Sequence, residues 1–290
     1  MYNTMEELLR LAEESSSPLW RVVLQNEYRL TGLDEGAIFR RLDERYRVMQ
    51  KAAEHALNER LSTAGGLIEG IASRQIQHVA GGDTLCGGFI NQVMARALSC
   101  SEVNAAMGKI CAAPTAGACG ILPAVLISVG ERYHLERRGI LEGLLTASGI
   151  GAIITQNATV SGAEGGCQAE CGVAAAMAAA AAVQMAGGGN ETALHAVCFA
   201  LMNCMGLVCD PVAGLVQVPC AQRNASQAVN AILSADLALG GMKSVIPADE
   251  VVEAMYRVGK LLPMQLRETA LGGIAATPAA KAIARNIFEA

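Results

Sequence analysis

Three cysteines lie where a chain could aim sulfur at a common centre. Cys167 is in "EGGCQAECG", Cys209 in "GLVCDPVAG" and Cys220 in "VQVPCAQRN". All three sit among Gly, Pro and polar residues rather than on an apolar helical face. Cys209 and Cys220 are next to proline or one residue from it, where a chain leaves regular structure. Zinc is one occupant for such thiolates, although no paired CxxC of the structural kind is present. A [4Fe–4S] cluster on three thiolates is another, and it leaves one iron unligated by the chain. Full four-cysteine ligation suits electron transfer, whereas an open iron suits Lewis-acid work on a substrate. Spacing alone does not choose between them. Cys171, four residues after Cys167, either shares its helix face or packs. The other six, Cys86, Cys100, Cys111, Cys119, Cys198 and Cys204, read as small buried hydrophobes.

The elements that must position these sulfurs read as helices. In "SGAEGGCQAECGVAAAMAAAAAV" (161–183), glycines and cysteines precede a run of alanine, as though something is held at a helix entrance. The first sixty residues carry apolar residues at helical spacing on charged segments, "MEELLRLAEE" and "GAIFRRLDERYRVMQKAAEHALNERL". From Ser62 the chain becomes Ala-rich, poor in charge and punctuated by glycine pairs. Internal glycine costs a helix about 1 kcal/mol relative to alanine. Its density therefore marks helix ends, or places where backbones approach each other or a ligand. "GLVQVPC" (214–220) is the only short strand candidate, and proline closes it. The expectation is an all-α fold, an Ala/Gly-rich helical domain whose broken helices converge on a cluster site. Residues 1–61 form an amphipathic helical extension and 62–290 the catalytic part, without a linker, as one integrated domain.

Composition excludes several classes. Only 17% of the 290 residues are charged and 3% are aromatic, so small aliphatic residues must fill the core. The net charge of −5 offers no basic footprint for nucleic acid. The acidic amino terminus, "MYNTMEELLRLAEESSS", lacks the basic and apolar regions of a signal peptide, which makes the cytoplasm the expected compartment. Ten cysteines there are not a disulfide framework. Long uncharged runs such as 110–130 and 171–190 have the length of membrane spans. Their Pro, Asn, Gln and paired Gly, and the lack of flanking aromatics, favour buried helices of a protein with no membrane partner over a helical transporter.

Four longer motifs, "PTAGACGILPAVL" (114–126), "EGGCQAECGVAAAMAAAA" (164–181), "GLVCDPVAGLVQVPCAQRNA" (206–225) and "LRETALGGIAATP" (266–278), resemble the α chain of the iron–sulfur-dependent bacterial L-serine dehydratases. The resemblance covers most of the chain. It implies an oxygen-sensitive [4Fe–4S] enzyme that converts L-serine to pyruvate and ammonia without pyridoxal phosphate, in amino-acid degradation and gluconeogenesis. It implies Cys167, Cys209 and Cys220 as cluster ligands and leaves Cys171 without a role. Relatives use a Ser-His-Thr-x-Gly-Pro motif, on a fused domain or a separate β chain, to bind substrate. These 290 residues contain no such motif. The expected partner is therefore a β chain in a hetero-oligomer. A related lyase acting on another amino acid, such as L-cysteine, is the alternative.

The implied reaction must expel hydroxide from the β-carbon and remove a poorly acidic α-proton, so a Lewis acid and a positioned base are required. Arg223 offers a bidentate fork for a carboxylate, or an ion pair with Asp210. Lys109 contacts an anion or the cluster edge, or is a surface lysine. Thr115, with the Ala116 and Gly117 backbone, offers hydroxyl and amide donors. Asp83, on a glycine-flanked turn, binds the substrate ammonium or caps a helix. Of the four histidines, His55 and His134 look like surface, and His78 is the best local base.

Overall fold

Alanine decides the centre of the molecule. In this computed structural model, which describes residues 1–289, helix α9 (Val173–Met185) buries every residue but Gln184. A helix apolar on all sides has no solvent face and must be surrounded. Helices α6 (Ile121–Arg132), α7 (Arg137–Asn157), α10 (Asn190–Cys204) and α11 (Cys220–Leu239) close around it. Short side chains bring the axes close, and the few long ones need matching holes. Gly143 and Gly151 of α7 supply them. A methyl group at either position would lie 2.8 Å from the sulfur of Met185 or Met177. α7 is the one helix among the described residues long and apolar enough to cross a membrane, and most of that stretch is buried inside the bundle.

The charged amino-terminal helices pack onto this core. α1 (Met5–Glu14) is anchored by Asp249, whose carboxylate accepts from the Met5 and Glu6 amides at 2.8 and 3.0 Å. α2 (Leu19–Thr31) is tied to α10 through Asn190, which accepts from Leu19 N and donates to Ser17 O. α3 (Glu35–Asn58) meets α7 through Arg137, which pairs with Asp43 at 2.6 Å and lies over the Tyr46 ring. The passage from α3 to α4 (Ile71–Ala80) is organised by Glu102 of α5 (Gly87–Ala105). This fully buried carboxylate accepts from the amides of Leu61, Gly70 and Ala72. Each buried donor left without it would cost about 1–3 kcal/mol.

Thirteen α-helices and no strand occur among the described residues, an all-α fold. The 214–220 segment is a correction to the sequence reading. Val212 N bonds Val218 O at 2.8 Å, closing the segment on itself before α11. Its Gln217 turns inward, accepting from the Thr63 hydroxyl and donating to Ala64 O. No neighbouring strand edge is available among the described residues, so alternation of apolar residues there produces a turn.

Candidate active site

The chain breaks between α7 and α9, and the sulfurs gather at that break. A short α8 (Gly162–Gly165) ends at Gly166, whose positive φ of 75° and close approach to Leu207 O suit only glycine. A π-helical turn over Gln168–Gly172 then leads into α9. Gln168, fully buried, pins that turn on both sides. Its amide donates to Gly165 O and Met255 O, and its carbonyl accepts from Gly206 N. The second anchor lies on α12 (Ala248–Leu261), which touches α8 where Gly259 meets Gly165. The turn presents Cys167 and Cys171 with their sulfurs 3.3 Å apart.

Two other segments bring Cys209 and Cys220. Cys209 is held between Leu266 and Glu268: Cys209 N donates to Leu266 O at 2.9 Å and Cys209 O accepts from Glu268 N at 2.7 Å. Cys220 begins α11, directly after Pro219. Asn224, one turn later, accepts from Gly120 N at 2.8 Å and donates to Gly117 O and Cys220 O. It therefore fastens the Pro114–Gly120 turn to the start of α11. Cys167, Cys171 and Cys209 are buried and Cys220 is half-buried. The four thiols feel one another electrostatically.

The electrostatics are uneven. A hydrogen bond from Cys171 holds the Cys167 thiol below its ordinary value, with the Arg223 guanidinium adding to the effect. The same bond, with burial, pushes Cys171 up. Burial pushes Cys220 up to about 12 and Cys209 up as well, with the Cys167 charge adding to both. Glu170, half-buried among the sulfurs, is raised to about 7, chiefly by burial. Its Oε2 lies 4.0 Å from Cys209 Sγ. Thr115 Oγ1 is near enough to favour the ionised Glu170, yet it forms no hydrogen bond among the described residues.

Arg223 takes the ion-pair reading. It bonds Asp210 Oδ1 at 2.8 Å and Val208 O at 2.7 Å, and it also stands beside Cys167. Asp210 is buried, and its other oxygen accepts from Ile274 N at 2.8 Å. Thr115 reaches the sulfur region through Glu170. His78, Asp83 and Lys109 do not join it: all three are exposed, and no hydrogen bond among the described residues ties them to the sulfurs. Among the remaining cysteines, Cys100, Cys119, Cys198 and Cys204 are buried as expected. Cys86 is a correction. It is exposed at the start of α5 on a glycine-flanked turn, with no apolar face above it, and Cys111 is only partly covered. Glu170 escaped the sequence reading, although it is the only charge between Gly165 and Asn190.

The donor set fits a soft metal group. Thiolates select zinc, copper(I) or iron–sulfur centres over hard cations. No three His, Cys, Asp or Glu side chains converge at single-ion geometry among the described residues. Cys167, Cys209 and Cys220 come from three separate segments, and Gly162 packs close beside Glu170 and Cys209. A methyl there would lie 2.6 Å from Glu170 Oε2 and 3.1 Å from Cys209 Sγ.

Comparison with known proteins supplies the family. Residues 14–275 match the family described as serine dehydratase alpha chain. The chain is 47% identical over 289 residues to the L-serine dehydratase, alpha chain, of Peptoniphilus asaccharolyticus, covering 100% of this chain and 99% of that one. It is 43% identical over 288 residues to the probable L-serine dehydratase, alpha chain, of Bacillus subtilis, covering 99% and 96%. It is 36% identical over 283 residues to L-serine dehydratase TdcG of Escherichia coli, covering 94% of this chain and 61% of the relative. A match of this extent and order places the chain in the serine dehydratase alpha chain family.

Proposed function

We propose that the chain is the cluster-bearing α subunit of an L-serine dehydratase, converting L-serine to pyruvate and ammonia in the cytoplasm. The observation that carries the reading is the gathering of Cys167, Cys209 and Cys220 from three segments beside Arg223, in a chain similar over its whole length to proteins named as alpha chains. These three thiolates would hold a [4Fe–4S] cluster, and Cys171 lies within hydrogen-bond distance of Cys167. Such a cluster with an open iron supplies Lewis acidity for loss of the β-hydroxyl.

The chain's own residues do the rest. Arg223 balances thiolate charge at Cys167 while Asp210 fixes its direction. Gln168 and Asn224 set the positions of the turns that carry the sulfurs. The packed alanines of α9 and its neighbours exclude water from the inner side of the site. The small-residue walls around a metal group matter because ligand orientation depends on outer contacts as much as on the ligands. A β chain bringing further substrate contacts completes the assembly in this proposal.

The test is anaerobic iron and sulfide analysis of Cys167→Ser, Cys209→Ser and Cys220→Ser, with Cys198→Ala as control, alongside pyruvate and ammonia assays. Each of the three serine variants loses the cluster and the control retains it. Full iron content in any one of them removes that residue from the ligand set. Sulfide release from L-cysteine in place of pyruvate formation from serine would move the chain to the related lyase.

A further inference from the structure

Glu170 is a carboxylate with no ion-pair partner among the described residues. Its side chain is half-buried, and among the described residues its one side-chain hydrogen-bond partner is the weak donor Cys209 Sγ at 4.0 Å. The guanidinium of the site is already engaged, with Arg223 bonding Asp210 and Val208 O. The charged neighbour that acts on Glu170 is Glu268, of its own sign. A half-buried carboxylate beside a second acid is costly unless a cation or strong donors arrive.

The surroundings are shaped as well as charged. Gly117 and Gly162 press on the carboxylate from two sides, where a methyl would come within 3.3 and 2.6 Å of its oxygens. Gly117 is half-buried and its neighbour Ala116 is exposed, so this side of Glu170 lies near the surface. Thr115 Oγ1 is buried beside Glu170 with its hydrogen-bonding capacity unused among the described residues. A carboxylate, a spare hydroxyl and a glycine-lined approach make a receptor for a small primary ammonium group.

We propose that Glu170, assisted by the Thr115 hydroxyl, binds the α-ammonium group of the amino-acid substrate and so fixes which end of the molecule faces the sulfurs. The inference rests on serine dehydration at this site. It moves the ammonium contact from exposed Asp83 to a residue inside the sulfur cluster.

The experiment compares L-serine with 3-hydroxypropionate, which keeps the hydroxyl and carboxylate but lacks the amine. Both ligands are titrated anaerobically into the iron-loaded α/β enzyme, with the visible spectrum and inhibition as readouts. Glu170→Gln is expected to weaken serine binding and raise its KM about tenfold or more, the usual cost of losing a charged hydrogen bond. Its affinity for 3-hydroxypropionate stays within about twofold of wild type, because neither protein has an amine to bind. Glu170→Asp keeps the charge and recovers part of the loss; it also serves as the test variant if the glutamine chain fails to retain iron. Equal weakening of both ligands would overturn the proposal. So would a changed spectrum before any ligand is added in both variants, which would make Glu170 an iron ligand. If wild type neither binds nor turns over serine, the parent reading has failed; if wild type does both and the variants match it, only this inference has.

Discussion

At the scale of single residues, the site depends on positions where a side chain would be an intrusion. Gly273 is the clearest. Its φ of +58° is left-handed, and a β-carbon there would run into the carboxylate of Asp210. That carboxylate is the pivot between Arg223 and the Ile274 amide. Gly273→Ala should therefore cost about 2–4 kcal/mol, combining left-handed strain with the loss of buried hydrogen bonds. Gly82→Ala is the matched control, because Gly82 also has positive φ, at +82°, but open space around it. Its cost should be about 1 kcal/mol. Chemical denaturation of the two variants measures both. Equal losses would mean that backbone conformation alone matters at Gly273 and that its contact with Asp210 does not.

Among the elements, the π-helical turn before α9 fits closely against α10. Gly172 closes that turn, and a methyl on it would strike Cys204 Sγ of α10. Cys204 is buried and its thiol bonds Leu201 O at 3.3 Å. Gly172 is small because a sulfur from the adjacent helix fills its space. Gly172→Ala alone should destabilise by about 1–3 kcal/mol through overpacking. With Cys204→Ala also present, the new methyl occupies room that the sulfur has left. The double variant should be more stable than the sum of the single changes predicts, by about 1 kcal/mol or more. A double-mutant cycle by thermal or urea unfolding reads this directly, and strict additivity would show that the turn relaxes away from α10 by another route.

For the whole molecule, the question is completeness. Cys209 and Cys220 are fixed by contacts within this chain, and so are Glu170 and Arg223. His78, Asp83 and Lys109, the base and charge candidates of the sequence reading, stay on the surface. The chain thus gathers thiols and one unanswered carboxylate but brings no histidine among them. Orientation of a bound substrate accounts for several kcal/mol of barrier, about 7 or more in favourable cases. The reconstituted α chain alone is expected to form pyruvate at least about a hundredfold more slowly than with its β partner, equivalent to about 2.7 kcal/mol. Pyruvate formation at matched iron content, with and without the β chain, is the measurement. Equal rates would mean that these residues hold the whole site.

Several features of this protein were decided by the sequence alone. Helical periodicity in residues 1–61 and the alanine run of 173–183 specified an all-α fold, because both are local patterns that admit few alternatives. The long motifs carried the family, since they are contiguous strings. Turn-forming neighbours singled out Cys167, Cys209 and Cys220 for the same local reason. What only the tertiary structure decided is which charge faces which. Asp210 meets Ile274 across 64 intervening steps of chain, and Asn224 meets Gly120 across 104. Such pairings leave no periodic trace. Exposure of His78 and Asp83, and the enclosure of Glu170, follow from how helices close around α9. A carboxylate reads the same in sequence whether solvent or sulfur surrounds it. Its chemistry is set by that surrounding, which exists only once distant segments have packed.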